Sequence, residues 1–278
     1  DWSFVRGKPF LVRLMGAGLL RPRNKILGSD IAGRVEAIGE NVRHLQLGDE
    51  VFGGLTLYGW GGFAEYVSVP ENVLELKPTN LTFDEAAAVP QAATVALHGL
   101  RDEGQVQPGQ KVLIIGASGG IGTYAVQIAK SFGAEVTGVC STRNLEMVRS
   151  IGADHVIDYT QEDFSQNEGR YDLIIDIVAN RPMSEYMRAL APQGRYVAVA
   201  FNPRSMFARG GGKKAGPLMV KSSVADLVYL KGLIEAGKVK PVIDRRYPLS
   251  EVAEALRYYG ERHSRGKVVI SIGDGTEE

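Results

Sequence analysis

One segment constrains this chain more than any other. An apolar run, Val112-Leu113-Ile114-Ile115, ends in Gly116-Ala117-Ser118-Gly119-Gly120-Ile121-Gly122, and an apolar stretch through Lys130 follows at once. A strand that stops in glycines and opens directly into a helix can bring backbone amides up to a phosphate. Without a Cβ, Gly119 and Gly120 let the chain approach a pyrophosphate, and Gly122 lets the helix lie close on the strand. The helix start adds free N–H groups and partial positive charge. The plainer alternative is an ordinary tight turn, but the strand, helix and spacing together favour a dinucleotide site.

The surroundings of that turn agree. Apolar strands are expected at 111–115, 135–140, 155–158, 171–178 and 195–200, with helices at 120–132, 145–151 and 183–190, the last beginning near Pro182. Apolar strands spaced by helices predict a parallel sheet covered on both faces, an α/β fold of the Rossmann-type, doubly wound kind. The region before it differs. Short β-type runs at 31–38, 49–52 and 64–69 stand among many glycines and suggest a small β domain. Thr82-Phe83-Asp84-Glu85 fits a capping box opening an Ala-rich helix to Leu100, which Pro90 should kink or split. Residues 202–216, with Arg204, Arg209, Lys213, Lys214 and several glycines, read as a mobile basic loop: either solvated surface or a flap over substrate or cofactor. Helices at 224–236 and 251–260 and a strand at 267–272 close the chain.

The dinucleotide can be narrowed further. An acid about twenty residues beyond the turn would bind the ribose 2′-OH of NAD. The sequence there is Cys140-Ser141-Thr142-Arg143, with no acid. Ser141 can donate a hydrogen bond and Arg143 can offer a planar charged fork, a pair suited to a 2′-phosphate. NADPH is therefore the expected cofactor.

Composition excludes other classes. Lys+Arg and Asp+Glu are equal at 32 each, so charge makes no case for nucleic acid as a partner. No apolar run is long enough for a membrane span. The single cysteine, Cys140, cannot form an internal disulfide, so a cytoplasmic location is the default expectation. The chain opens on Asp1 in what reads as the middle of a domain, and an N-terminal segment is expected to precede it.

Several segments, in order, carry a resemblance: Gly28-Ser-Asp-Ile-Ala-Gly33, Gly48-Asp-Glu-Val-Phe-Gly53, Gly62-Phe-Ala-Glu-Tyr66, the turn 116–122, Gly152-Ala-Asp-His-Val-Ile-Asp-Tyr159 and Gly266-Lys-Val-Val269. Together they resemble the zinc-independent medium-chain dehydrogenase/reductase superfamily, quinone oxidoreductase-like branch. The resemblance implies a GroES-like catalytic domain at 1–83, lacking its first strands here, a Rossmann cofactor domain at 84–216, and a C-terminal return to the catalytic domain at 217–278. It implies cofactor contacts at Ser118, Gly119, Gly120 and Ile121 on the pyrophosphate. Tyr159 would lie at the adenosine phosphate, Val178 at the ribose, and Thr94, Ala200, Phe201 and Asn202 toward the nicotinamide. A homodimer is expected because family members often pair. Zinc members carry Gly-His-Glu where this chain has Gly28-Ser29-Asp30. Ser29 is a poor zinc ligand and one cysteine builds no zinc site, so no metal is expected. The four histidines, His44, His98, His155 and His263, read as structural.

Without a Lewis acid, an alcoholate is hard to stabilise, so a quinone or an α,β-unsaturated carbonyl suits the site as hydride acceptor. Tyr58 and Tyr66 are weak candidates for a proton donor, and no catalytic acid is assigned. Tyr58, Trp60 and Phe63 either line a flat apolar pocket or belong to the core. Two alternatives stand: an enoyl-thioester reductase of the same superfamily, and an NADPH-binding sensor or structural protein with little turnover. A short-chain dehydrogenase is excluded, because no tyrosine is followed by lysine four residues on.

Overall fold

In the computed structural model, residues 6, 25–166, 170–199, 214–218, 223–261 and 264–273 are described. They fall into two compact units, one drawn from Asp1–Gln91, Ser222–Glu235 and Ile243–Glu278, the other from Ala92–Lys221 and Ala236–Val242.

The second unit is built on a parallel sheet. Its strands are β4 (Lys111–Ile115), β5 (Glu135–Cys140), β6 (His155–Asp158), β7 (Tyr171–Asp176), β8 (Leu190–Ala198) and β9 (Lys214–Pro217). They lie in the order β6-β5-β4-β7-β8-β9, and every neighbouring pair is parallel. The chain winds outward from β4 to β6, returns to β7 beside β4, and winds outward again. Strand order therefore reverses between β4 and β7, the place where open α/β sheets bind ligands. Val112, Leu113, Ile114, Ile174 and Ile175 have no solvent exposure. Each such aliphatic side chain contributes about 1.5–3 kcal/mol of hydrophobic stabilisation. Burial on both faces is why these strands read as unbroken apolar runs.

The helix Gly120–Ser131 follows β4 and buries everything from Gly122 to Ala129. Its closeness to the strand depends on Gly122, where a Cβ would stand 2.1 Å from the Gly116 carbonyl oxygen. Upstream, the capping box forms as expected. The Thr82 hydroxyl accepts from the Glu85 amide, and the Glu85 carboxylate accepts from the Thr82 amide at 3.0 Å. Pro90 splits the predicted helix into Phe83–Ala87 and Pro90–His98, and the latter widens into a π-helical turn over Gly99–Glu103.

The first unit holds β1 (Asp30–Arg34), β2 (Glu50–Gly54) and β3 (Leu74–Leu76) in an antiparallel sheet, and β10 (Ile243–Pro248) beside β11 (Lys267–Ser271) in a parallel pair. Two carboxylates join the early and late parts of the chain. Asp30 accepts from the Gln91 amide at 2.7 Å and from Lys267 Nζ at 3.3 Å. Asp84 accepts from Arg246 Nε at 2.7 Å and Ser271 Oγ at 2.9 Å.

Three expectations are corrected. Residues 64–69 form no strand. Both edges of β2 are already taken, by β1 and by Leu74–Leu76, and the chain meets β1's approach only where Gly62 and Phe63 donate to the Gly28 and Leu27 carbonyls. Residues 214–216 of the expected basic loop 202–216 belong to Lys214–Pro217, which pairs with β8 as the edge strand instead; residues 202–213 lie outside the described residues. Strand β8 begins at Leu190 rather than 195, passing an irregularity in its pairing with β7 and Gln193 at φ 68°. Among the described residues, no helix is long and apolar enough to cross a membrane.

Candidate functional site

The glycine turn is pinned from behind. The amides of Gly116 and Ala117 both donate to the Val139 carbonyl of β5 at 3.1 Å, and Gly116 takes φ +87°. Gly119 is the N-cap of the helix Gly120–Ser131, extended at φ −83°, and its amide bonds back to Gly116 O at 3.1 Å. No side chain caps this helix start. The first-turn amides have no acceptor within the helix. They are available to an anion, which the helix dipole favours as well. A Cβ on Gly119 would touch nothing closer than Gly116 O at 3.5 Å, so the fold itself has room for a side chain there.

Beside the turn, β5 ends at Cys140, and Ser141 leads into a short 3-10 turn, Thr142–Asn144. Ser141 is half-buried and Arg143 exposed. Tyr159 directly follows the neighbouring strand, 57% exposed, its amide donating to the Cys140 carbonyl at 3.1 Å. Ser141, Arg143 and Tyr159 thus follow the same ends of two adjacent strands. Burial, with the Asp158 charge adding to it, pushes the Cys140 thiol up to about 11, so this cysteine stays protonated and unreactive at neutral pH.

Two residues here escaped the sequence reading. The first is Asp158, an acid at the tip of β6. It accepts from Thr142 Oγ1 at 2.5 Å and from the Thr160 amide and hydroxyl at 3.0 and 2.8 Å. Those bonds, led by the Thr142 hydroxyl, hold its carboxyl below the usual carboxylate range. The second is Asn144, 4% exposed, whose Nδ2 donates to Ser118 Oγ at 3.0 Å and to Ser141 Oγ at 3.3 Å. Its only sequence signal was an asparagine before a helix, which reads as a cap.

At the end of β7, Asp176 is wholly buried. Its carboxylate accepts from the Val178 amide at 3.0 Å, the Ala179 amide at 2.8 Å and the Tyr196 hydroxyl at 2.7 Å. This holds Ala179 in the left-handed region at φ 54° and sets Val178 against the turn, where a Cβ on Gly116 would meet Val178 Cγ2 at 2.9 Å. Val178 itself is 44% exposed. Thr94 is buried within the helix Pro90–His98. Ala200, Phe201 and Asn202 lie outside the described residues.

The cradle fits a dinucleotide phosphate: open amides, a glycine whose missing Cβ leaves approach free, and hydroxyls at the tip of the second strand. Tyr58 and Tyr66, in the other unit, are 41% and 76% exposed, while Trp60 is buried at φ 65°. Ser29 is buried, its hydroxyl 3.4 Å from Asp30 Oδ2. Among the described residues no three His, Cys, Asp or Glu side chains group as metal ligands. His155 bonds Glu135 at 3.1 Å and His98 stands 3.7 Å from Asp102; His263 lies outside the described residues.

Two family models match the chain: an alcohol dehydrogenase GroES-like domain over residues 1–79 and a zinc-binding dehydrogenase over residues 151–270. The chain is 32% identical over 287 residues to the chloroplast envelope quinone oxidoreductase homolog of Arabidopsis thaliana, covering 97% of this chain and 85% of that one. It is 36% identical over 261 residues to the chloroplastic NADPH-dependent alkenal/one oxidoreductase of the same plant, covering 90% of this chain but 64% of that protein's length. Among solved structures, the quinone oxidoreductase from Coxiella burnetii matches with a TM-score of 0.88 at 29% identity, over 98% of this chain and 86% of that one.

Proposed function

The chain belongs to the medium-chain dehydrogenase/reductase superfamily, in its quinone oxidoreductase-like branch, and from that membership we propose that it is an NADPH-dependent enzyme reducing a quinone or an α,β-unsaturated carbonyl. The observation that carries the reading is the glycine turn with Ser141 and Arg143 at the neighbouring strand end and no acid between Cys140 and Asn144. Its relatives, named for quinone and for NADPH-dependent alkenal/one reduction, support the same pair of cofactor and substrate class.

NADPH, when bound, supplies the hydride. The chain's part is to hold and orient. Ser118, Gly119, Gly120 and Ile121 receive the pyrophosphate, and Ser141, Arg143 and Tyr159 the 2′-phosphate. Val178 lies along the ribose, and Thr94, Ala200, Phe201 and Asn202 toward the nicotinamide. Tyr58 and Tyr66 remain the candidates for delivering a proton. The proposed reaction uses no zinc. A conjugated acceptor spreads the arriving charge over its own oxygen, and Ser29 is a poor metal ligand. In domain terms, residues 1–83 form the GroES-like part, 84–216 the Rossmann part and 217–278 the return. A homodimer in the cytoplasm completes the proposal. The chloroplastic names of the two relatives make organelle targeting the competing outcome of a localisation experiment.

The test is steady-state consumption of NADPH and NADH with a para-quinone, a 1-alken-3-one and an enoyl thioester, with and without a chelator. Oxidation of NADPH by the quinone or the enone, unchanged by chelator, is expected. Turnover with the thioester alone would point to the enoyl-thioester reductase. Tight NADPH binding with no turnover would point to a sensor. Loss of activity on chelation would overturn the metal-free reading.

A further inference from the structure

We propose that Asn144 is a positioning residue for the 2′-phosphate side of the cofactor site. By donating to Ser118 and Ser141 at once, it leaves both hydroxyls free to donate to a bound anion, and so contributes to the choice of NADPH over NADH. The inference rests on the proposed function.

Asn144 stands at the N-cap of the helix Leu145–Ser150, where an asparagine normally uses Oδ1 to accept from a first-turn amide. It makes no such bond. Its side chain instead turns away from its own helix toward the glycine turn. Nδ2 reaches Ser118 Oγ at 3.0 Å and Ser141 Oγ at 3.3 Å, joining the turn after β4 to the end of β5. Oδ1 is left buried with no hydrogen-bond partner among the described residues. A buried acceptor without a donor is unfavourable, so the arrangement is not explained by local stability alone.

The chemistry follows from the direction of these bonds. A hydroxyl that accepts an N–H on one lone pair keeps its own hydrogen for another acceptor. With Nδ2 engaging both serines, two hydroxyls become donors at the place where a phosphate is expected. The opposite amide orientation would draw both hydroxyl hydrogens inward and present only lone pairs to an anion. Thr142 does not substitute, because its hydroxyl is committed to Asp158 at 2.5 Å. Aspartate at 144 would be nearly the same size, but it accepts only and adds a negative charge.

Calorimetric titration of the full chain with 2′,5′-ADP and with 5′-AMP isolates this side of the cofactor, and thermal melts report the fold. In Asn144→Asp, 2′,5′-ADP should weaken by roughly tenfold or more, since both Ser141 and Ser118 lose their donor, and 5′-AMP, whose phosphate meets only Ser118, by several-fold less. Asn144→Ala should lose less, and in a Ser118→Ala/Ser141→Ala background it should add no further loss, because the asparagine acts through those hydroxyls. If Asn144→Asp still prefers 2′,5′-ADP as wild type does, or weakens both ligands equally, the proposal is overturned. It is equally overturned if the alanine effect persists without the two serines. A wild-type chain that binds both ligands alike overturns the NADPH reading itself, and this inference with it.

Discussion

Adding one methyl group at Gly122 tests whether the cofactor cradle depends on close packing of strand and helix. The Cβ of Gly122→Ala would stand 2.1 Å from Gly116 O and 2.7 Å from both Ala117 C and Cα, all backbone atoms that cannot rotate aside. The first of these is roughly 1.3 Å inside the 3.4 Å at which ordinary contact begins, so the turn or the helix must move by about that much. Overpacking of this kind costs about 1–3 kcal/mol. In a chain of this size that lowers the melting temperature by a few degrees to about 10 °C. A displacement near 1 Å at a positioning element costs on the order of a hundredfold in function. The control is Gly119→Ala, whose Cβ would meet only Gly116 O at 3.5 Å. It should melt like wild type yet bind NADPH poorly, because the methyl stands in the path of the pyrophosphate. Melts and fluorescence titration with NADPH separate the two effects. A Gly122→Ala chain with wild-type melting and wild-type affinity refutes the packing argument. A Gly119→Ala chain that binds normally shows that the phosphate lies elsewhere.

Other expectations follow from single residues. Arg143→Ala should weaken NADPH roughly tenfold or more while leaving NADH nearly unchanged, by titration; equal losses would remove Arg143 from the phosphate. Ala179→Gly should raise stability in a denaturant melt by about 0.5–1 kcal/mol, because it relieves φ 54° and only part of that gain is offset by the more flexible unfolded chain; a loss would mean the methyl packs usefully. Glu71 accepts from the amides of Arg43, His44 and Leu45, and these bonds, led by that of His44, hold its carboxyl below the ordinary 4.5. The folded value is lowered, so its contribution is complete above pH 4.5 and fades as pH falls through the lower folded value. Wild type should therefore melt above Glu71→Gln at pH 7 and converge with it toward pH 3; a gap constant with pH would refute the assignment.

How much of this was legible depended on how each element is buried. Lys111–Ile115 and Glu135–Cys140 emerged with the bounds they have in the structure, because strands covered on both faces write themselves as apolar runs between turns. Leu74–Leu76, Lys214–Pro217 and Ile243–Pro248 did not, since each is short or polar and is a strand only because a partner is present. The run at 64–69 shows the converse: strand-like composition that pairs with no strand, composition alone not making one. The glycine turn was readable because its glycines answer to local geometry. Asn144 and Asp158 were not, because what they do is fixed by hydrogen bonds to residues 16 to 26 positions away.

The pairing of Asp30 with Lys267 spans 237 positions of sequence. A ribosome adding about 5–20 residues per second needs roughly 10–50 s to get from one to the other. Through that interval β1 and β2 are already made, while the strand carrying Lys267 does not yet exist. Birth order thus leaves the Asp30 and Asp84 carboxylates without Lys267, Arg246 and Ser271 through that period, and chaperone dependence during synthesis should concentrate there.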